Sequence, residues 1–296
     1  MNINTLKGTG VAIVTPFNSK GNIDEIGLKK LVRHLINGKA EYIVVLGTTG
    51  ESVTLSKDEK KTVLNIVSKE NNGRLPLVLG IGGNNTTQVV EDYKSYNLKD
   101  VSAILSVSPY YNKPSQEGIY QHYKYLSQHI KHPIILYNVP GRTSSNIQWQ
   151  TTIRIANDCK NIIAIKEASG SIEQIMKVIM HKPKNFLVIS GDDNLTLPLI
   201  ACGADGVISV VANAYPKRFS EMVRLALKGD FSNAKKLHYS LVALTDQLFA
   251  DGNPGGIKYT LKKLNICSDH LRLPLVSPNK TVQQEIAKLI QQIGKQ

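Results

Sequence analysis

Eight short apolar runs, each followed by enough chain for one helix, constrain this sequence more than any other feature. The runs are VAIVTP (11–16), YIVVLG (42–47), LVLGIG (77–82), AILSVSP (103–109), PIILYNV (133–139), IIAIKEA (162–168), LVISGD (187–192) and GVISV (206–210). Their starts lie 31, 35, 26, 30, 29, 25 and 19 residues apart. They are apolar almost throughout rather than alternating, the pattern of parallel strands covered on both faces. Helix signals fill the intervals. Asp24 reads as an N-cap before Leu28, Leu31, Val32, Leu35 and Ile36, with Gly38 as the stop. Ser56 and Glu59 form a capping box ahead of Val63, Leu64, Ile66 and Val67, and Gly73 ends that helix.

Eight consecutive βα units with no break in composition predict an α/β fold, a closed (β/α)8 TIM barrel. A doubly wound sheet is the alternative. From Asn213 onward only helical periodicity continues, through Phe231, Ala234, Leu237, Leu241, Leu244 and Leu248. The barrel is therefore expected over 1–222 and a C-terminal helical extension over 223–296, with no linker between them.

Composition serves to exclude. The net charge of +13 raises the question of nucleic acid, but the lysines are interleaved with acids, as in SKDEKK, and no nucleic-acid module is visible. No nucleic-acid partner is expected. No apolar run approaches the roughly 18 residues of a membrane span. MNINTLKGTG lacks the charged and apolar regions of a signal peptide, and Cys159, Cys202 and Cys267 form no CxxC pair. A cytoplasmic protein without membrane contact is the expectation. GIGGNN (80–85) lacks the third glycine of a dinucleotide fingerprint, and the seven histidines form no HExxH. His129 and His132, beside Lys131 at a helix end, read as complements to the helix dipole. No cofactor and no metal are expected.

A barrel of this kind does its chemistry at the carboxyl ends of its strands. Polar and special residues gather there: Gly47-Thr48-Thr49-Gly50-Glu51, Tyr110-Tyr111, Tyr137-Asn138, Lys166-Glu167 and Gly191-Asp192-Asp193. Lys166 ends the most apolar strand. A surface lysine would lay its stem along the protein and keep its charge in water. At the mouth of a barrel the same residue can instead act as an amine that condenses with a ketone to an imine. The Gly47–Gly50 turn offers backbone N–H groups and hydroxyls to a carboxylate. Thr48, Tyr111 and Tyr137 could relay protons to and from the imine, although either tyrosine alone reads equally as a core aromatic. Arg142 is either a solvated loop charge or a planar fork for a second carboxylate.

The motifs GTTGES, SPYYNKPSQEG, YNVPGRT, IKEASG, SGDD and GVISV, in this order and spacing, resemble the dihydrodipicolinate synthase family. That family belongs to the class I Schiff-base aldolases, a group that includes N-acetylneuraminate lyase. The likeness runs from about residue 8 to LRLPL at 271–275. It implies that pyruvate condenses with Lys166, its carboxylate held by the Thr48-Thr49 turn and its pocket lined by Gly191 and Ile208. The enamine would attack aspartate semialdehyde, whose carboxylate Arg142 would bind, while Thr48, Tyr137 and Tyr111 relay protons. The product would enter diaminopimelate and lysine biosynthesis. It also implies a homo-oligomer, expected as a tetramer built from two dimers, with Tyr111 reaching in from a neighbouring subunit. The arginine of YNVPGRT separates the synthase from the sugar-acid lyases, which remain the alternative enzymes; a non-catalytic binding barrel is the alternative outside catalysis.

Two departures from the pattern stand out. DGNPGGIKY (251–259) replaces an NPIPVK-like run, in a region expected to bear on packing and assembly rather than chemistry. Members inhibited by free lysine bind it through residues matching Ser52, Asn84 and Tyr110, which are kept here. They also use histidines and a glutamate at positions held here by Lys57, Lys60 and Gln88, so weak or absent inhibition is expected.

Overall fold

The computed structural model describes residues 3–294. Eight parallel strands close into a barrel in chain order: β1 (Gly8–Ala12), β2 (Tyr42–Val45), β3 (Leu77–Gly80), β4 (Val101–Val107), β5 (Ile134–Asn138), β6 (Ile162–Glu167), β7 (Leu187–Ser190) and β8 (Gly206–Ser209). β1 pairs with β8 from Gly8↔Gly206 to Val11↔Ser209, which closes the ring and excludes the doubly wound alternative.

Helices alternate with the strands: α1 (Glu25–Asn37), α2 (Lys57–Asn71), α3 (Thr86–Lys94), α4 (Gln116–His129), the short α5 (Pro140–Thr143), α6 (Trp149–Asp158), α7 (Ile172–His181), α8 (Thr196–Ala201) and α9 (Pro216–Leu227). Beyond them lie α10 (Phe231–Phe249), α11 (Gly255–Lys263) and α12 (Lys280–Ile293). Asp24 caps α1 by accepting from Gly27 N, and Gly38 closes it. Ser56 and Glu59 make the reciprocal capping box on α2, whose C-cap is Asn72 in the left-handed region (φ 46°), with Gly73 following at φ 72°.

Strand alternation sorts the side chains into two apolar bodies. Ala12, Val44, Val78, Leu105, Ile135 and Ile189 fill the barrel interior. Ile43, Val45, Leu79, Ile134, Ile165 and Val188 face the helices.

The first strand lies three residues earlier than the apolar run 11–16 suggests. Gly8 and Gly10 give no apolar signal, yet they belong to the strand, and Tyr42 takes the space that a side chain on Gly10 would need. A β-carbon at Gly10 would stand 2.1 Å from the Tyr42 ring. Residues 13–16 have left the sheet and run beneath the Thr48 turn.

Candidate active site

Lys166 shares the inward parity of Ala164, so β6 delivers its side chain into the barrel at the carboxyl end. It is buried. Its register partner on β5 is Tyr137, and Lys166 Nζ lies 4.3 Å from the centroid of the Tyr137 ring. Among the described residues it makes no ion pair and no side-chain hydrogen bond. The neighbouring carboxylate, Glu167, points the other way. It accepts from Asn138 Nδ2 at 3.1 Å, Ser169 N at 2.9 Å and Gln174 Nε2 at 2.9 Å. Burial pushes the Glu167 pKa up, against these hydrogen bonds. The strand thus separates its two charged residues, one amine facing the cavity and one carboxylate locked behind it.

A second lysine, Lys258 on α11, provides the contrast. It is fully buried and ion-paired with Glu51, and its Nζ donates to His270 O at 2.9 Å. Burial lowers its pKa, and Glu51 partly offsets this. One buried lysine is satisfied; the other has only an aromatic face beside it.

Lys166 opens onto a cavity of about 360 Å³ lined also by Thr48, Thr49, Tyr137, Arg142 and Gly191. The Thr48–Gly50 turn is a single 3-10 turn between two residues in the left-handed region, Leu46 (φ 59°) and Glu51 (φ 52°). Thr15 holds it from below, donating its hydroxyl to Gly50 O at 2.7 Å. Such backbone excursions are costly and persist where the surroundings impose them. Arg142 sits on α5, exposed, and its guanidinium has no partner among the described residues. A neighbouring cavity of about 310 Å³ shares Thr48, Tyr137 and Arg142 and continues past Ser52 and Lys60 to Asp92.

Six of the expected residues therefore meet at one opening: Lys166, Tyr137, Thr48, Thr49, Arg142 and Gly191. Two do not. Tyr111 stands 89 % exposed with φ 72°, in the loop after β4, and lines neither cavity. Ile208 is buried in the barrel interior, and it is Val210, two residues on, that lines the cavity. Sequence reasoning placed Glu51 among the polar residues at the strand ends without a partner, and it gave Lys258 and Asn253 no role at the site. Asn253 lines the cavity and its Nδ2 donates to Thr49 Oγ1 at 3.0 Å. The one available signal was the unusual NPGGIK run, which gave no hint of contact with a turn 204 residues away.

The family model described as the Dihydrodipicolinate synthetase family matches residues 5–293. A protein of Flavobacterium psychrophilum named 4-hydroxy-tetrahydrodipicolinate synthase is 54% identical over 288 residues, 97% of this chain and 98% of its own. One of the same name from Parabacteroides distasonis is 50% identical over 289 residues, 98% of this chain and 97% of its own. Among solved structures, the dihydrodipicolinate synthase of Acinetobacter baumannii, complexed with pyruvate, superimposes with a TM-score of 0.95 at 37% identity, covering 98% of this chain and 99% of that one.

Proposed function

The chain belongs to the dihydrodipicolinate synthetase family, and from that premise we propose that it condenses pyruvate with aspartate 4-semialdehyde to 4-hydroxy-tetrahydrodipicolinate. The reaction is that of a lyase working through an imine on Lys166, and it opens the route to diaminopimelate and lysine. The observation that carries this reading is the buried Lys166 amine, without a carboxylate partner, against the Tyr137 ring in a cavity shared with Arg142.

The steps follow from the groups present. The amine of Lys166 adds to C2 of pyruvate, and loss of water gives the protonated imine, the proton and water passing by way of Tyr137 and Thr48. The pyruvate carboxylate lies on the Thr48-Thr49 turn, whose N–H groups and hydroxyls suit an anion. The imine nitrogen draws electrons from C3, which loses a proton to become the enamine carbon. That carbon attacks the aldehyde of the second substrate, whose carboxylate pairs with the Arg142 guanidinium. The substrate amine then adds to C2, and departure of Lys166 restores the enzyme and closes the ring.

Tyr111 belongs to the same relay, supplied by a neighbouring copy in a homotetramer. Its exposure and its position outside this chain's own cavity support that assignment. Gly191, just past β7, and Val210, just past β8, shape the pocket, and the enzyme works in the cytoplasm.

Mass spectrometry after borohydride reduction with pyruvate tests the reading. One reduced pyruvate adduct on Lys166 is expected; labelling of another lysine, or of none, overturns it. A substrate panel of aspartate semialdehyde against N-acetylneuraminate and 2-keto-3-deoxy sugar acids distinguishes the synthase from its lyase relatives.

A further inference from the structure

The helical extension touches the cavity through Asn253, which lies between α10 and α11 and is 7 % exposed. Its Nδ2 donates to Thr49 Oγ1 at 3.0 Å. Among the described residues this is the only hydrogen bond that either side chain makes. The amide NH2 can only donate, so the threonine oxygen must accept. The hydroxyl proton of Thr49 then has no taker among the described residues, and the cavity beside Lys166 is where it can go. A hydroxyl that already accepts one hydrogen bond is also polarised into a stronger donor. A carboxylate, which only accepts, is the ligand such a hydroxyl fits.

The extension is fixed against the turn by a second contact. Glu51 closes the Thr48–Gly50 turn, and its buried ion pair with Lys258 ties α11 to the residue two positions beyond Thr49. Lys258 Nζ also sits 4.2 Å over the Phe17 ring. Two clamps, Asn253 on Thr49 and Lys258 on Glu51, therefore hold one turn from the same helical segment.

We infer that Asn253 is a positioning residue for the ketoacid substrate: it fixes the polarity of the Thr49 hydroxyl so that the hydroxyl donates to the substrate carboxylate. The NPGGIK run, expected to concern packing and assembly, thereby enters the chemistry. The inference rests on the reading of Thr49 as part of the carboxylate site.

The test measures the pyruvate concentration that half-saturates borohydride inactivation, together with steady-state constants, for Asn253→Ala, Asn253→Asp, Thr49→Val and the Thr49→Val/Asn253→Ala double variant. Asn253→Ala should raise half-saturation about tenfold, the scale of one charge-assisted hydrogen bond, while the KM for the aldehyde changes less than about twofold. Asn253→Asp keeps the shape but reverses the polarity and adds an anion. It should therefore be worse than Asn253→Ala, and its defect should shrink as pH falls and the new carboxyl protonates. It also serves as the comparison if the alanine variant does not fold. In the Thr49→Val background Asn253→Ala should add almost nothing, since the two residues act as a unit. Additive effects, an Asp variant no worse than Ala, or a pH-independent Asp defect overturn the inference. If Thr49→Val itself leaves pyruvate half-saturation unchanged, the carboxylate role of Thr49 fails, and with it the premise rather than the polarity argument.

Discussion

Gly191 borders the Lys166 stem so closely that a β-carbon placed on it would stand 3.1 Å from Lys166 Cε and 2.6 Å from Ala168 Cβ. The amine reaches the cavity because the residue that follows β7 has no side chain. Gly191→Ala should leave a folded barrel with a displaced lysine. Imine formation should slow by about 10²-fold, the cost of misplacing a reacting group by roughly 1 Å. The rate of borohydride trapping at saturating pyruvate checks this, and a wild-type rate would remove the steric role of Gly191. Lys166→Arg should form no adduct at all, because the guanidinium stays protonated.

Tyr137→Phe keeps the ring against Lys166 Nζ and removes only the hydroxyl. The thermal midpoint should stay within a few degrees, while turnover falls by about 10²–10⁴-fold, the usual scale for a positioned proton-transfer group. An unchanged kcat would mean that the relay runs through other groups.

Arg142→Ala should separate the two substrates. The guanidinium pairs with nothing in the described chain, so its loss leaves no buried charge behind. Pyruvate trapping should proceed at close to the wild-type rate, while the KM for aspartate semialdehyde rises by about 10-fold or more, as for loss of a charge-assisted pair. A KM that does not move would dismiss Arg142 as the second carboxylate's partner.

Inhibition by free lysine should be weak or absent. Asp92 is the carboxylate on the wall shared by Ser52, Lys60 and Tyr110. It is already engaged by Lys57 Nζ at 3.3 Å and Gln88 Nε2 at 2.9 Å. A cationic effector would compete with Lys57 for it and meet repulsion on the order of 1 kcal/mol per close ammonium pair. Activity persisting at tens of millimolar lysine is the expected result of a steady-state titration, and half-inhibition below a millimolar would contradict it.

Asp193 predicts a pH signature of stability. Its buried carboxylate accepts from Val210 N at 3.0 Å and Val211 N at 3.1 Å, yet burial dominates and pushes its pKa up to about 6. Because the folded pKa lies above the unfolded one, the native state binds the extra proton between pH 4 and 6. Stability should therefore fall across that window by about 3 kcal/mol and level off above it. Asp193→Asn keeps an acceptor for the two N–H groups and should flatten the slope in urea melts; a slope that survives would place the titration elsewhere.

The sequence made the barrel legible because parallel strands buried on both faces leave continuous apolar runs. It hid the start of β1, where Gly8 and Gly10 carry no hydrophobic signal and Gly10 leaves room for Tyr42. Lys166 stood out because an ammonium at the end of an apolar strand is out of place. Lys258, more deeply buried still, did not, since a lysine on an amphipathic helix is ordinary and its partner Glu51 is remote in the chain. Ile208 lies within β8 in the barrel interior and Val210 just past the strand's end at the cavity, and where the strand stops is not marked in the apolar run. Asn253 and Thr49 are brought together by the tertiary packing of the extension, which no local signal reports.

The clamps on the Thr48–Gly50 turn also set a schedule for the chain as it is made. Glu51 leaves the ribosome some 200 residues before Lys258, a delay of roughly 10–40 s at translation rates of about 5–20 residues per second. During that interval Glu51 has no Lys258 to pair with, and the turn lacks its contact from Asn253. A polypeptide released before Asn253 would carry Lys166 beside a turn that has neither of these contacts.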